Sequence, residues 1–223
     1  MLKPRYLAFV LSLSFLAGCQ TGVTLDPPPS ANQISIAPDL YKSQTDKNIS
    51  IEELTRQADS GNPGAQNDLG ACYGTGYKVK KDLDKSFHYY QLAADQNMPA
   101  AQANLGFMYY AGESVPRDFG KAAQWMYKAA IQGHFNGQYA LGRMYAVGEG
   151  VPKNEETAEK WWLLSAGQGH LDSQIALKYL YEHGSRKDLR KAALWGQRIA
   201  FAQTTGHTWK ATDTTSSEAA PKN

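Results

Sequence analysis

The chain predicts an all-α fold, a right-handed superhelix of about four helical hairpins closed at its amino-terminal end by a capping helix. Three observations carry this. First, a set of residues recurs every 36 positions: Ala65, Ala101, Gly137 and Ser173, with Gln66, Gln102, Gln138 and Gln174 directly behind them. Leu69, Leu105, Leu141 and Leu177 follow, then Tyr73, Tyr109, Tyr145 and Tyr181, then Gly76, Gly112, Gly148 and Gly184. Four copies in phase define a repeat architecture. Second, the apolar spacing inside each copy is helical; in the second, Ala101, Leu105, Met108 and Tyr109 fall at i, i+4, i+7 and i+8, on one face. Third, a glycine stands where each first helix should stop, followed by a short loop and a capping residue.

The elements follow in order. Residues 1–18 read as a secretory signal: Lys3 and Arg5 precede an apolar run from Tyr6 to Leu16, too short to span a bilayer, and then come Ala17 and Gly18. Residues 19–49 are rich in Pro, Ser, Thr and Asn and read as a flexible tether; about 30 such residues reach roughly 30 Å. Residues 50–204 hold the repeats. Ile51 to Gly61 matches only the second helix of a repeat and should cap the stack, as solenoids need for solubility. Residues 205–223 turn to Thr, Ser, Lys and Glu and read as a disordered tail, in which Trp209 either packs back on the last helix or serves as a short linear contact.

Within the second copy, Gly112 suits a left-handed stop, and Asp118 suits the N-cap of a second helix whose buried stripe is Ala122, Trp125, Met126, Ala129 and Ala130, ending at Gly133. Gly106 costs about 1 kcal/mol against Ala in mid-helix and recurs as Gly70 and Gly142, which implies close approach of the partner helix. Lys178 takes that place in the fourth copy, where looser packing is expected and the loop is two residues shorter.

Composition narrows the functional classes. Removal of the signal leaves 21 basic against 21 acidic side chains, so the chain lacks an electrostatic footprint for nucleic acid. The two cysteines, Cys19 and Cys72, form no disulfide framework, and Cys72, in phase with Met108, Met144 and Leu180, reads as a small buried apolar residue. His134 and His170 share a phase but lack companion ligands, and read as polar loop residues rather than a metal site; His88, His183 and His207 are scattered. No HExxH, GxSxG, paired CxxC or P-loop pattern occurs, so no catalytic residue, metal or cofactor is assigned.

The pattern A-x-x-x-L-G-x-x-Y-x-x-G followed by K-A-x-x-W-x-x-x-A-A-x-x-G resembles the Sel1-like repeat, a relative of the tetratricopeptide repeat, and it is closest in the second and third copies. In the first, Tyr89, Ser86 and Asn97 replace the Trp, an Ala and the terminal Gly. Leu16-Ala17-Gly18-Cys19 is similar to the lipobox of bacterial lipoproteins, which implies diacylation of the Cys19 sulfur, cleavage after Gly18, acylation of the new amino terminus and a lasting anchor that palmitate would label. Gln20 after the cysteine implies the outer membrane, periplasmic side. Taking the phase of the tetratricopeptide groove, the positions free to vary on the concave face are Asn67, Ala103, Tyr139 and Ile175; Ala71, Phe107, Arg143 and Tyr179; and Gly74, Tyr110, Ala146 and Glu182. Of these, Asn67, Phe107, Tyr110, Tyr139, Arg143, Tyr179 and Glu182 are the candidate contacts for a protein or peptide partner, since aromatic residues and Arg anchor interfaces. The function implied is a non-enzymatic envelope scaffold. The alternative is a protein that binds or hydrolyses peptidoglycan or β-lactams, as the resemblance implies for a minority of the family; the disulfides of that minority are missing here.

Overall fold

In a computed structural model, residue 25 and residues 49–211 are described. The signal, the lipobox at Cys19 and most of the tether lie outside the described residues. Nine helices and no strand are present among the described residues: α1 (Ile51–Asp59), α2 (Pro63–Thr75), α3 (Leu83–Asp95), α4 (Pro99–Ala111), α5 (Phe119–Ile131), α6 (Phe135–Val147), α7 (Glu155–Gly167), α8 (Leu171–His183) and α9 (Leu189–Thr205). None is long and apolar enough to cross a membrane. Each helix packs chiefly on its neighbours in the chain, giving four hairpins, α2–α3 to α8–α9, behind the capping helix α1. The result is the expected all-α superhelix of repeats.

The in-phase residues divide the work of building one hairpin. Leu69, Leu105, Leu141 and Leu177 are each fully buried, and alanines such as Ala93, Ala129 and Ala166 let the second helices close on them. The chain leaves α2, α4 and α6 through Gly76, Gly112 and Gly148 at φ 78°, 76° and 84°, the left-handed region that a side chain would strain. Asp82, Asp118, Asn154 and Asp188 then cap the second helices by accepting backbone N–H bonds. The N–H of each capping residue donates back to the carbonyl of the in-phase tyrosine: Asp82 to Tyr73, Asp118 to Tyr109, Asn154 to Tyr145 and Asp188 to Tyr181. Lys85, Lys121 and Lys191 place their ammonium groups 5.0, 5.3 and 4.9 Å from the rings of Tyr73, Tyr109 and Tyr181. The Tyr and the Lys of the repeat are thus two ends of one loop clasp.

The repeated mid-helix glycines have the expected cause. A Cβ on Gly70 would meet the Tyr90 ring at 2.8 Å, one on Gly106 the Met126 side chain at 3.0 Å, and one on Gly142 the Trp162 indole at 2.5 Å. The fourth hairpin departs from the expected looseness in a definite way. Gly196 occupies the position of Tyr90, Met126 and Trp162, and the Lys178 stem lies 3.5 Å from where its Cβ would be. The small residue has changed sides, so the helices still meet. Gly184 is also different, with extended backbone at φ −76° and ψ 174°. The shorter loop after it is pinned to α7 instead: Ser185 donates to Glu155, and the Arg186 guanidinium sits 2.8 Å from the buried Glu159 carboxylate.

Two expectations need correction. Trp125 is half-buried rather than part of the sealed stripe, with the Lys128 ammonium 3.8 Å above its ring, and Ala123 is buried in its stead. The tail expected to be disordered from residue 205 opens with a packed stretch. α9 continues to Thr205, Gly206 turns the chain at φ 73°, and Trp209 stacks edge-on against Trp195. Arg198 lies 4.6 Å from the Trp195 ring and 3.6 Å from the Trp209 ring, so a guanidinium clamps the tail onto the last helix.

Candidate docking surface

Three of the four first helices, α4, α6 and α8, present a residue of the same phase to solvent, whereas Ala71 of α2 is half-buried. In the last three hairpins these are Phe107, Arg143 and Tyr179, and all are exposed: Phe107 at 55% and Tyr179 at 63%. Successive helices in such a stack lie about 10 Å apart, so the three side chains form a row across three hairpins with a cation in the middle. Ile175, 45% exposed, adds apolar surface beside Tyr179.

The other candidate residues are more deeply tied into the scaffold. The Tyr110 ring tilts onto Phe119 at 5.2 Å, its hydroxyl donates to Glu149 at 2.7 Å, and the Arg143 guanidinium stands 5.9 Å from its centroid. Burial, and then the Glu149 carboxylate, push the Tyr110 hydroxyl above the ordinary phenol range. Tyr110 therefore links the second hairpin to the third. Tyr139 is half-buried; its ring lies 5.0 Å from that of His170 and its carbonyl accepts the Trp162 indole N–H. Burial raises its hydroxyl too, against a counteracting pull from Arg143. Asn67 accepts from the Asn104 amide at 3.0 Å, joining the first hairpin to the second. Glu182 takes the Lys178 ammonium on both oxygens, at 2.7 and 2.8 Å. Tyr179, by contrast, touches His183 in a stack of 4.6 Å and otherwise faces outward.

Two side-chain roles escaped the sequence. His134 and His170 are not loop ornaments: they are the N-caps of α6 and α8, accepting the Gly137 and Ser173 N–H groups on Nδ1. The signal was their place one residue before a helix start, normally filled by Ser, Thr, Asp or Asn. Burial drives the His134 imidazole down to about 4, and lowers His170. The in-phase glutamines form a ladder. Gln66, Gln102 and Gln138 donate to the carbonyls of Ala58, Ala94 and Ala130, and accept from Gln96, Gln132 and Gln168. Cys72 is a free, half-buried thiol whose ionisation burial opposes. Among the described residues no group of three or more His, Cys, Asp or Glu side chains is placed to hold a metal.

Four in-phase helical hairpins stacked behind a capping helix define an α-solenoid repeat protein. The Sel1 repeat model matches residues 63–98, 99–134, 136–170 and 172–200, one match per hairpin and more than half of the chain, so this protein belongs to the Sel1 repeat family. Such repeats generally mediate protein–protein interactions, on a scaffold fold that is typically non-enzymatic. Among solved structures, the chain is similar to a Sel1 repeat protein from Oxalobacter formigenes, at 31% identity and TM-score 0.62, over 67% of this chain and 62% of that one. It is also similar to c5321, a protective antigen of uropathogenic Escherichia coli strains, at 31% identity and TM-score 0.61, over 72% of this chain and 37% of that one. The chain thus matches less than two thirds of the length of either. A search of curated proteins finds no match.

Proposed function

We propose that this protein is a lipid-anchored docking scaffold of a bacterial envelope, which holds a peptide or protein partner across its first helices on the periplasmic side of the outer membrane. The anchor is Cys19, on the strength of the lipobox-like Leu16-Ala17-Gly18-Cys19. The observation that carries the docking role is the exposed row Phe107, Arg143 and Tyr179. Three consecutive hairpins offer a large apolar side chain, a guanidinium and a second ring where the scaffold does not require them. A surface already rigid loses little freedom on binding, which favours capture of an extended chain or a helix.

The test is in-cell cross-linking of the full chain against Phe107→Ala/Arg143→Ala/Tyr179→Ala, with partners identified by mass spectrometry. Loss of the wild-type cross-linked species, at an unchanged melting temperature, is the expected result. Retention of the same partners by the triple variant would overturn the docking role. The anchor is tested separately by palmitate labelling, which Cys19→Ala should abolish.

A further inference from the structure

The loops that join the two helices of each hairpin, residues 76–82, 112–118, 148–154 and 184–188, lie along one edge of the stack. Contacts link each to the next. Ser114 of the second loop donates to Asp84 beside the first, Tyr110 donates to Glu149 of the third, and Ser185 of the fourth donates to Glu155 at the start of α7. Cations collect on this edge. The first loop carries Lys78, Lys80 and Lys81, the second Arg117, the third Lys153 and the fourth Arg186 and Lys187, with Arg190 in the first turn of α9. The turns of the opposite edge, residues 60–62, 96–98, 132–134 and 168–170, hold no Lys, Arg, Asp or Glu, and only the packed tail brings Lys210 there, over Gly169.

Most carboxylates of the loop edge are engaged within the protein. Asp82, Asp118 and Asp188 cap the second helices, Glu149 accepts from Tyr110, and Glu155 accepts from Ser185. Lys80, Lys81, Lys187 and Arg190 are exposed, and no ion pair engages them among the described residues. Tyr77, Val147 and Leu189 stand among these cations, each more than 60% exposed. Ile131 and Phe135 are exposed beside a turn of the opposite edge, so apolar exposure is common to both edges and charge is what separates them. The described repeats are also entered from the loop edge: Ser50 caps α1 there, and the Ile49 carbonyl accepts the Lys78 ammonium at 3.3 Å.

We infer that the loop edge seats the protein on an anionic phospholipid surface, with Lys80, Lys81, Lys187 and Arg190 on headgroup phosphates and Tyr77, Val147 and Leu189 among the headgroups. Cations without internal partners, interleaved with exposed apolar side chains, suit the boundary of an anionic bilayer. The entry at Ile49 favours the bilayer over an acidic protein, because an anchor upstream of it holds this edge nearest the lipid; a 13-residue helix puts the opposite edge about 20 Å further out. The inference rests on the membrane placement proposed above and adds an orientation to it. The helices stand off the bilayer, and the row Phe107, Arg143 and Tyr179 runs parallel to it, each side chain four residues, about 6 Å, before the end of its helix.

The experiment puts a photo-reactive benzophenone at position 77, or at position 131 as the control on the opposite edge, in the full chain held in phosphatidylcholine vesicles with or without phosphatidylglycerol. Mass spectrometry then measures phospholipid adducts. Position 77 should give at least fivefold more adduct than position 131 when phosphatidylglycerol is present, and at least fivefold more with that lipid than without it. Raising the salt from about 0.1 M to about 1 M, which shortens the screening length from roughly 10 Å to roughly 3 Å, should remove most of the gain. Lys80→Gln/Lys81→Gln/Lys187→Gln/Arg190→Gln should remove it too, at an unchanged melting temperature, whereas Lys80→Arg/Lys81→Arg/Lys187→Arg/Arg190→Lys should retain it. Equal adducts at positions 77 and 131, or a yield at position 77 indifferent to phosphatidylglycerol or to loss of the four cations, overturns the inference. Adducts at position 77 to an acidic protein in cells, with none to lipid, overturn it as well. Palmitate on the chain without phospholipid adducts at position 77 keeps the anchor and removes the seat; adducts without palmitate keep the seat and remove the anchor.

Discussion

At the scale of single residues, two glycines in equivalent helical hairpins should respond to alanine in opposite directions. The Cβ of Gly142→Ala would stand 2.5 Å from the Trp162 Nε1, an atom that donates to the Tyr139 carbonyl at 3.2 Å and belongs to a ring only 6% exposed. The ring has nowhere to go, so the overpacking loss of about 1–3 kcal/mol exceeds the gain of about 1 kcal/mol in helix propensity. For Gly196→Ala the nearest atom is the Lys178 Cε at 3.5 Å, an ordinary contact with the end of a flexible chain. Thermal unfolding should show a lower melting temperature for Gly142→Ala and a slightly higher one for Gly196→Ala. His134 supplies a pH dependence. It is 8% exposed and neutral when folded, because burial holds it near 4, whereas an unfolded histidine titrates near 6.5. Between those values the unfolded chain binds the extra proton, so stability is complete above about pH 6.5 and declines as pH falls toward 4, by up to roughly 3 kcal/mol. Urea unfolding at pH 7 and pH 5 measures the slope. His134→Asn keeps a cap acceptor of the kind Asn62 and Asn154 already supply, and should make the slope shallower, the remainder coming from His170, which burial also lowers.

At the scale of elements, the hairpins were legible because their signals recur: the buried Leu69 series, the left-handed glycines and the capping Asp118 each follow from a spacing and a backbone requirement that local chemistry dictates. The ends were less so, since an end has no sister copy to compare. The capping helix α1 could be placed from its phase, with Ser50 accepting the Glu53 N–H. The carboxyl-terminal closure could not. Ala202 stands where Gln96, Gln132 and Gln168 stand in the other hairpins, and the Gln174 side-chain oxygen is left buried without a bond. The Gln174 amide instead reaches the Trp209 carbonyl at 3.0 Å, and Thr208 and Lys210 lie over Gly169. The packed tail thus substitutes for part of the missing ladder. Trp209→Ala should remove the Arg198 and Trp195 contacts and raise amide hydrogen exchange in α8 and α9, with α2 and α3 unaffected. Equal exchange in α8 and α9 before and after substitution would show that the clamp contributes nothing to closure.

At the scale of the whole molecule, the row proposed for docking was readable as a set of variable positions, but its division into free and committed side chains was not. Phe107, Arg143 and Tyr179 share a phase and stay exposed, whereas Tyr110 and Tyr139 are drawn inward by Glu149, Phe119 and His170, residues of other phases that no single-copy comparison pairs with them. The same one-dimensional order that separates these roles should govern unfolding. A stack in which each helix packs on its chain neighbours has stability that sums over repeats and the interfaces between them. Leu54, at the capped end, and Leu141, in the third hairpin, are 3% and 0% exposed, and either loses about 2–5 kcal/mol of local packing on truncation to Ala. The positions differ in what lies beyond them. Leu54→Ala should loosen only α1 and the first hairpin, visible as faster amide exchange in α1 to α3, while α6 to α9 keep their protection. Leu141→Ala weakens a hairpin with neighbours on both sides, so protection should fall from α4 through α9, and the melting temperature should drop further than for Leu54→Ala. Uniform loss of protection in Leu54→Ala would mean that the stack unfolds as one cooperative body, and the exposed row Phe107, Arg143 and Tyr179 would then share the fate of its most distant cap.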